Sequence, residues 1–251
     1  MAACHERRGA ADHRGINGRL TVPHKAAITL FILLFGATCS LPAQKLQFGT
    51  SLFFPVDAPM SPAIPPLSLR GALYEKEYWG VETGLSWYRM AGLSADGLPF
   101  ALSKALTGSF DSFILPLQLK GKWPVGKWSI ETKFGAFLAL NSTYGIRQDH
   151  LAEGLVQWSG DWRAMQTKAE IAQGNTFGAL GTLCVKAPLF ERVEVACSFS
   201  WYEGRSPAPI TGNAVGVSMN DVPVDLSIDL PDVQLDYRGF EWGLGIEYNW
   251  E

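Results

Sequence analysis

Twelve residues near the end of the chain constrain its fold more than any other stretch. From Gly239 they run Gly-Phe-Glu-Trp-Gly-Leu-Gly-Ile-Glu-Tyr-Asn-Trp250. Phe240, Trp242, Leu244, Ile246, Tyr248 and Trp250 share one parity, and Glu241, Gly243, Gly245, Glu247 and Asn249 share the other. A strict period of two puts every bulky apolar side chain on one face of a β-strand and leaves the other face small or polar. A strand of about ten residues is long enough to cross the hydrocarbon of a bilayer at a tilt. The apolar face also ends in aromatics, which favour the headgroup level. The stretch is therefore expected to be a strand with one face turned to lipid.

The same alternation recurs along the chain. Leu46, Phe48, Thr50, Leu52 and Phe54 form one such face. Leu67, Leu69 and Leu73 stand against Ser68, Arg70 and Tyr74, and Trp79, Val81, Thr83, Leu85 and Trp87 against Gly80, Glu82, Gly84, Ser86 and Tyr88. Phe113, Leu115, Leu117, Leu119 and Trp123 oppose Gln118, Lys120 and Lys122. Trp128, Ile130, Thr132, Phe134, Ala136, Leu138 and Leu140 oppose Ser129, Glu131, Lys133 and Gly135. Thr176 to Lys186 carries Phe177, Ala179, Gly181, Leu183 and Val185 on one face. Val193, Val195, Cys197, Phe199 and Trp201 alternate with Arg192, Glu194, Ala196, Ser198 and Ser200. Pro116 has no ladder donor, so a bulge is expected there.

With the closing stretch the count is eight, and the connections alternate long and short. Pro55 to Pro66 holds five prolines and reads as a loop. Glu75 to Glu77, Pro124 to Gly126 and Ala187 to Glu191 are short turns. Arg89 to Asp111, Asn141 to Asn175 and Glu203 to Asp236 are long. A short helix is expected over Arg163 to Ala172. The alternation from Val222 to Leu230 points to an extra hairpin arm above the membrane. The expected fold is all-β: an eight-stranded antiparallel up-and-down transmembrane barrel with short periplasmic turns and long outer loops. The last strand must pair with Leu46–Phe54 to close it.

Composition agrees. The 251 residues are 47% hydrophobic and 12% aromatic with 26 glycines, which suits a sheet protein with apolar surface better than a helical enzyme. The net charge of −3 gives no reason to expect nucleic acid as a partner. His24-Lys25 precedes an apolar run from Ala26 to Phe35, then small residues and Pro42. This reads as a cleaved secretory signal peptide, since the run is too short for a transmembrane helix. Ser40, Ala43 and Gln44 are the candidate cleavage positions. Gly36 at the third place before Cys39 argues against a lipoprotein. The charged stretch before the leader reads as an extended n-region or as sequence upstream of a start near Val22. Residues 1–44 are thus an extension plus signal peptide, and 45–251 the barrel. The barrel part carries 16 Lys and Arg against 22 Asp and Glu, a net of −6.

The mature chain resembles the small porin-like outer-membrane β-barrel family of Gram-negative bacteria. Phe113-Ile-Leu-Pro-Leu-Gln-Leu-Lys-Gly-Lys-Trp123 and the closing stretch to Trp250 carry the likeness, which covers Lys45 to Glu251. It implies an outer-membrane location, outer-membrane lipids as surroundings and recognition of the last strand by the barrel assembly machinery. Such barrels usually end on an aromatic residue; here Glu251 follows Trp250.

The inner parity assigns Arg70, Glu82, Lys120, Lys122, Glu131, Lys133, Lys186, Arg192, Glu194, Glu241 and Glu247 to the lumen. An eight-stranded barrel has room only for side chains, so these read as a paired plug rather than an ion path. Lys120 with Glu131, and Lys186 or Arg192 with Glu194, are the expected pairs. Trp79, Trp87, Trp123, Trp128, Trp201, Trp242, Tyr248 and Trp250 are the expected interface aromatics. Trp158 and Trp162 read as further anchors before adhesive residues. Cys184 points inward and Cys197 outward, so they are not expected to form a disulfide. His150, the one histidine after the leader, lies beside Asp149 without a visible nucleophile, which argues against a lipid hydrolase or transferase. No nucleotide or metal motif is present, and no cofactor is expected. The expected function is structural, adhesive or surface-binding through the outer loops of a monomer, with an unidentified extracellular ligand. A narrow pore, a lipid-modifying enzyme and a secreted ligand-binding barrel with its apolar parity inside are the alternatives.

Overall fold

The computed structural model describes residues 45–56, 67–90, 92–102, 104–108, 110–141, 145–172 and 174–250. The expected signal peptide and the proline-rich 57–66 lie outside them. In chain order the elements are β1 (Lys45–Pro55), β2 (Leu67–Glu75), β3 (Trp79–Met90), β4 (Ala95–Asp96), β5 (Phe110–Val125), β6 (Trp128–Asn141) and α1 (Gln148–Ser159). There follow β7 (Trp162–Ile171), β8 (Thr176–Phe190), β9 (Val193–Pro207), β10 (Ile210–Ser218), β11 (Pro223–Leu230), β12 (Gln234–Asp236) and β13 (Gly239–Asn249).

Eight of these strands close an antiparallel barrel in the order β13-β1-β2-β3-β5-β6-β8-β9, with β9 pairing back to β13. Closure runs from Lys45 opposite Asn249 to Pro55 opposite Gly239, the pairing expected of the closing stretch. Closing the sheet removes the unpaired edges that could not be satisfied inside a bilayer. The outward parity is the apolar one. Phe48, Leu117, Leu119, Phe134, Phe177, Leu244 and Ile246 are all exposed, Phe134 at 68%. A continuous belt of such side chains is stable only against hydrocarbon. From Phe240 to Tyr248, at about 3.4 Å per residue, the strand covers roughly 27 Å. At a tilt of about 40° that is close to the apolar band of a membrane barrel. No described helix is long and apolar enough to cross a membrane. The secreted-barrel alternative requires the opposite parity inside, and the structure contradicts it.

Three local departures from the expected pattern have physical causes. In β2, Ala72 faces Glu82 but Tyr74 faces Val81, so Leu73 is an extra residue. This bulge flips the parity beyond it. Tyr74 therefore turns outward, not inward, and stacks beside Trp79 at 5.0 Å between ring centres, while Glu75 turns in. At Pro116 no bulge forms. The ladder from β5 to β3 lapses between Thr83–Leu117 and Ser86–Ile114 and resumes in the same register. The Thr83 hydroxyl donates to the Pro116 carbonyl at 2.8 Å. The turn after β8 is also shorter than expected, because pairing with β9 continues past a bulge to Phe190 opposite Val193.

The expected helix over Arg163 to Ala172 is strand β7, and the helix lies earlier, as α1. Leu151, Gly154 and Leu155, at helical spacing, are its buried face. Gly160 ends it at φ 68°, a left-handed position that glycine takes without strain. Met165, Thr167, Ala169 and Ile171 alternate instead, and β10 supplies their ladder partner from far along the chain. β10 and β11 form the expected hairpin arm, so β7, β10 and β11 make a three-stranded sheet. Leu151 and Leu155 of α1, Ala169, Ile210, Ala214 and Ile228 of the sheet, and Leu106 and Val233 share one buried core. The long connections are thus a folded cap. β4 and β12 join it to the barrel by pairing β12 with Arg205–Pro207 of β9.

Candidate functional site

Inside the barrel the side chains fill two layers. Towards the short turns lies a buried charge network. Arg70, Lys120, Lys133 and Lys186 face Glu82, Glu131, Glu241 and Glu247, all buried, four cations against four carboxylates. Glu131 meets three ammonium groups: Lys186 at 2.8 Å, Lys133 at 3.5 Å and Lys120 at 4.0 Å. Lys186 also holds Glu247 at 2.5 Å. Lys133 reaches Glu82 at 2.7 Å, and the Arg70 guanidinium lies 3.9 Å from both Glu82 and Glu241. Pairing of this kind is what allows charge to sit in a closed interior.

Eight of the eleven expected lumen residues therefore meet in the network. The other three do not. Arg192 is exposed in the turn before β9, and Lys122 and Glu194 are half-buried near the same end. Their strands have already left the enclosed part of the barrel. Consequently Lys120 pairs with Glu131 as expected, but Lys186 pairs with Glu131 and Glu247 rather than Glu194. Two members, Glu75 and Lys45, were missed. Glu75, turned in by the Leu73 bulge, binds Lys45 at 2.9 Å and Lys120 at 3.1 Å. Only recognition of the bulge could have found it, because simple alternation sends Glu75 outward.

Towards the long connections the lumen is closed by rings. Phe53, Tyr88, Phe137 and Tyr202 are each at most 1% exposed. Phe53 meets Tyr202 edge-on at 5.4 Å between ring centres, and Phe137 meets Tyr202 at 5.3 Å. Glycines make the room: a Cβ on Gly178 would lie 2.5 Å from the Phe137 ring and one on Gly204 2.7 Å from it. The Tyr202 hydroxyl donates to Glu241, which joins the ring layer to the charges. Gln118 extends the network sideways, accepting from Arg70 Nη1 at 3.4 Å and donating to Thr182 at 3.1 Å. Inner-parity aromatics near the outer ends of four strands are the sequence signal for this layer.

Above the rings the cap begins. Arg238 binds Asp236, and Asp96 lies 3.5 Å from Arg205 and 3.8 Å from Arg238. Burial works against the Asp236 carboxylate, but hydrogen bonds from the Arg238 side chain and backbone outweigh it and hold its pKa below the ordinary Asp value. Trp162 is not a membrane anchor: it is buried in the cap, against Gly216. Trp158 is exposed on the cap near Phe100, at 6.2 Å between ring centres. His150 belongs to α1, with Nδ1 2.9 Å from the Ala105 carbonyl oxygen and Nε2 3.6 Å from Asp149. The expected interface aromatics are all exposed on the outer wall. Trp79, Trp123, Trp128, Tyr248 and Trp250 ring the short-turn end, and Trp87, Trp201 and Trp242 the other. Cys184 is buried, Cys197 exposed, and both are free.

No family profile and no curated protein sequence matches the chain. Solved structures do. The outer membrane protein OprG from Pseudomonas aeruginosa is 13% identical, with a TM-score of 0.53 over 82% of this chain and 95% of that one. A major outer membrane protein from Thermus thermophilus gives 13% identity and a TM-score of 0.47 over 82% and 98%. Ail, the attachment invasion locus protein of Yersinia pestis, gives 10% and 0.38 over 81% and 94%. The fold is that of an eight-stranded outer-membrane β-barrel.

Proposed function

We propose that the barrel is a closed anchor in the outer membrane and that the cap is the working part, a surface-binding module held outside the cell. The carrying observation is the division of the molecule into two filled bodies. Ion pairs and rings occupy the lumen, while the long connections pack on a core of their own instead of opening a channel mouth. The lining of a pore needs polar groups facing water, and here they face one another. His150 reads as a packing residue of α1, because its ring nitrogens face a backbone carbonyl and a carboxylate. Short turns belong to the periplasmic side of such barrels, so the short-turn end is read as the inner-leaflet end, with the last strand as the contact for assembly.

The test is cell-surface exposure of the cap. An epitope inserted after Asn220, in the exposed turn of the β10–β11 hairpin, should bind antibody on intact cells. An epitope in the turn at Gly126–Lys127 should bind only after the outer membrane is opened. Reversed labelling, or none on intact cells, contradicts the proposal.

A further inference from the structure

The cap sheet has two edges, and they are treated differently. At the β7 edge Ala169 points its backbone away from β10. Its N–H donates to Gln148 Oε1 at 3.0 Å, and its carbonyl accepts from Gln148 Nε2 at 2.7 Å. One side chain from the start of α1 thus covers that edge at Ala169. β11 pairs only with β10 among the described residues, and nothing described caps its other side.

The register says which groups that side presents. Ser218 N–H donates to the Val222 carbonyl at 3.0 Å, which makes that pair a hydrogen-bonded one. Bonded and non-bonded pairs alternate in an antiparallel ladder. Val224, Leu226, Ile228 and Leu230 therefore bond to β10, and Asp225, Ser227 and Asp229 aim N–H and C=O at the free edge. Pro223, with no N–H to offer, falls on the same outward-aimed phase. The side chains of Asp225, Ser227 and Asp229 share the exposed face of the sheet. No Lys or Arg occurs between Arg205 and Arg238, whereas Asp221, Asp225, Asp229, Asp232 and Asp236 do. The register sets Lys168 of β7 on that face two strands away, about 10 Å, and Arg163 is taken up by Asp221 at 3.1 Å. On the other face Leu226 is 37% exposed and offers an apolar contact.

Resting on the cap as the working part, we propose that the free edge of β11 docks an extended polypeptide segment with Lys or Arg at alternate positions, added as a fourth strand. Residues opposite Asp225 and Asp229 lie on the same face with Cα atoms about 5.5 Å away, within reach of a basic side chain. A second copy of β11 fits poorly. In face-matched antiparallel registers its aspartates fall opposite or diagonal to Asp225 and Asp229, which is repulsive.

The experiment uses the full-length barrel in zwitterionic nanodiscs and the capped peptide Lys-Thr-Lys-Val-Lys-Thr-Lys, with empty nanodiscs subtracted. Binding is expected, and Asp225→Asn with Asp229→Asn should weaken it about tenfold through two lost charge pairs. Ser227→Pro removes one edge donor without touching the β10 ladder and should weaken it about fivefold. N-methylation of the lysines, whose amides face β11, should cost at least about tenfold, while N-methylation of Thr and Val should be tolerated. No binding to wild type, equal binding of the two methylated peptides, or indifference to both aspartates overturns the proposal. The methylated pair decides even if Ser227→Pro fails to fold. Failure with the Asn220 epitope still accessible would reject this edge and leave the surface module standing.

Discussion

Lys186→Met keeps the length of a side chain whose exposure is 0% and removes its charge. Two carboxylates lose a partner. Glu131 retains Lys133 at 3.5 Å and Lys120 at 4.0 Å, so its loss is partial. Glu247 has no other ion pair within 4.0 Å among the described residues and becomes a buried orphan. Removing one member of a buried pair costs about 3–5 kcal/mol, mostly through the charge left behind. The partial rescue of Glu131 favours the lower end, about 3 kcal/mol. Adding Glu247→Gln removes the orphan, and the double variant should recover about 2 kcal/mol, a coupling of the size expected for groups in contact. The assay is equilibrium urea unfolding in lipid vesicles followed by tryptophan fluorescence, with heat-modifiable gel mobility as the check on folding. A single variant that loses under about 1 kcal/mol, or a double variant that is simply additive, would refute a lumen held by mutual charge pairing.

Other outcomes follow from the same geometry. Gly204→Leu pushes a side chain into the Phe137 ring, where a Cβ alone would sit 2.7 Å away, and should destabilise the folded barrel by about 1–3 kcal/mol in the same urea assay. Asp236 has its pKa depressed in the folded state, so its contribution is present above the unfolded value near 3.8 and is lost as pH falls through the lower folded value. Proteolysis of the cap should therefore rise below about pH 4 in wild type, and Asp236→Asn should show the raised susceptibility already at about pH 7, with less change on acidification. Cys197 faces lipid and should react in vesicles with an apolar maleimide but not with a charged thiol reagent, while Cys184 reacts with neither until unfolding.

The barrel was legible because its strands obey one local rule, and both ends of the rule are large residues. Phe134 and Lys133 cannot exchange faces without placing a charge in hydrocarbon, so the parity of β6 admits one reading. The lumen was legible to the same extent. Glu75 escaped because Leu73 and Tyr74 both tolerate the outer wall, so nothing local marks the extra residue. Arg192 was overassigned because parity says which face a residue takes, not whether the barrel still encloses it at that height. The cap was the least legible part. The residues from Arg163 to Ile171 have mixed propensity, and what makes them a strand is a ladder to Ile210–Ser218, whose pairing no local pattern announces. Gln148, which closes the edge of that strand, carries no signal of its role until α1 and β7 are placed together.

Single-channel recording tests the central claim most directly. Full-length protein, shown to be folded by heat-modifiable mobility, is inserted into planar bilayers under an applied voltage. A lumen occupied by a network of paired charges and closed by Phe53, Tyr88, Phe137 and Tyr202 should give no steady conductance steps. Stable, reproducible steps from the folded barrel would contradict it.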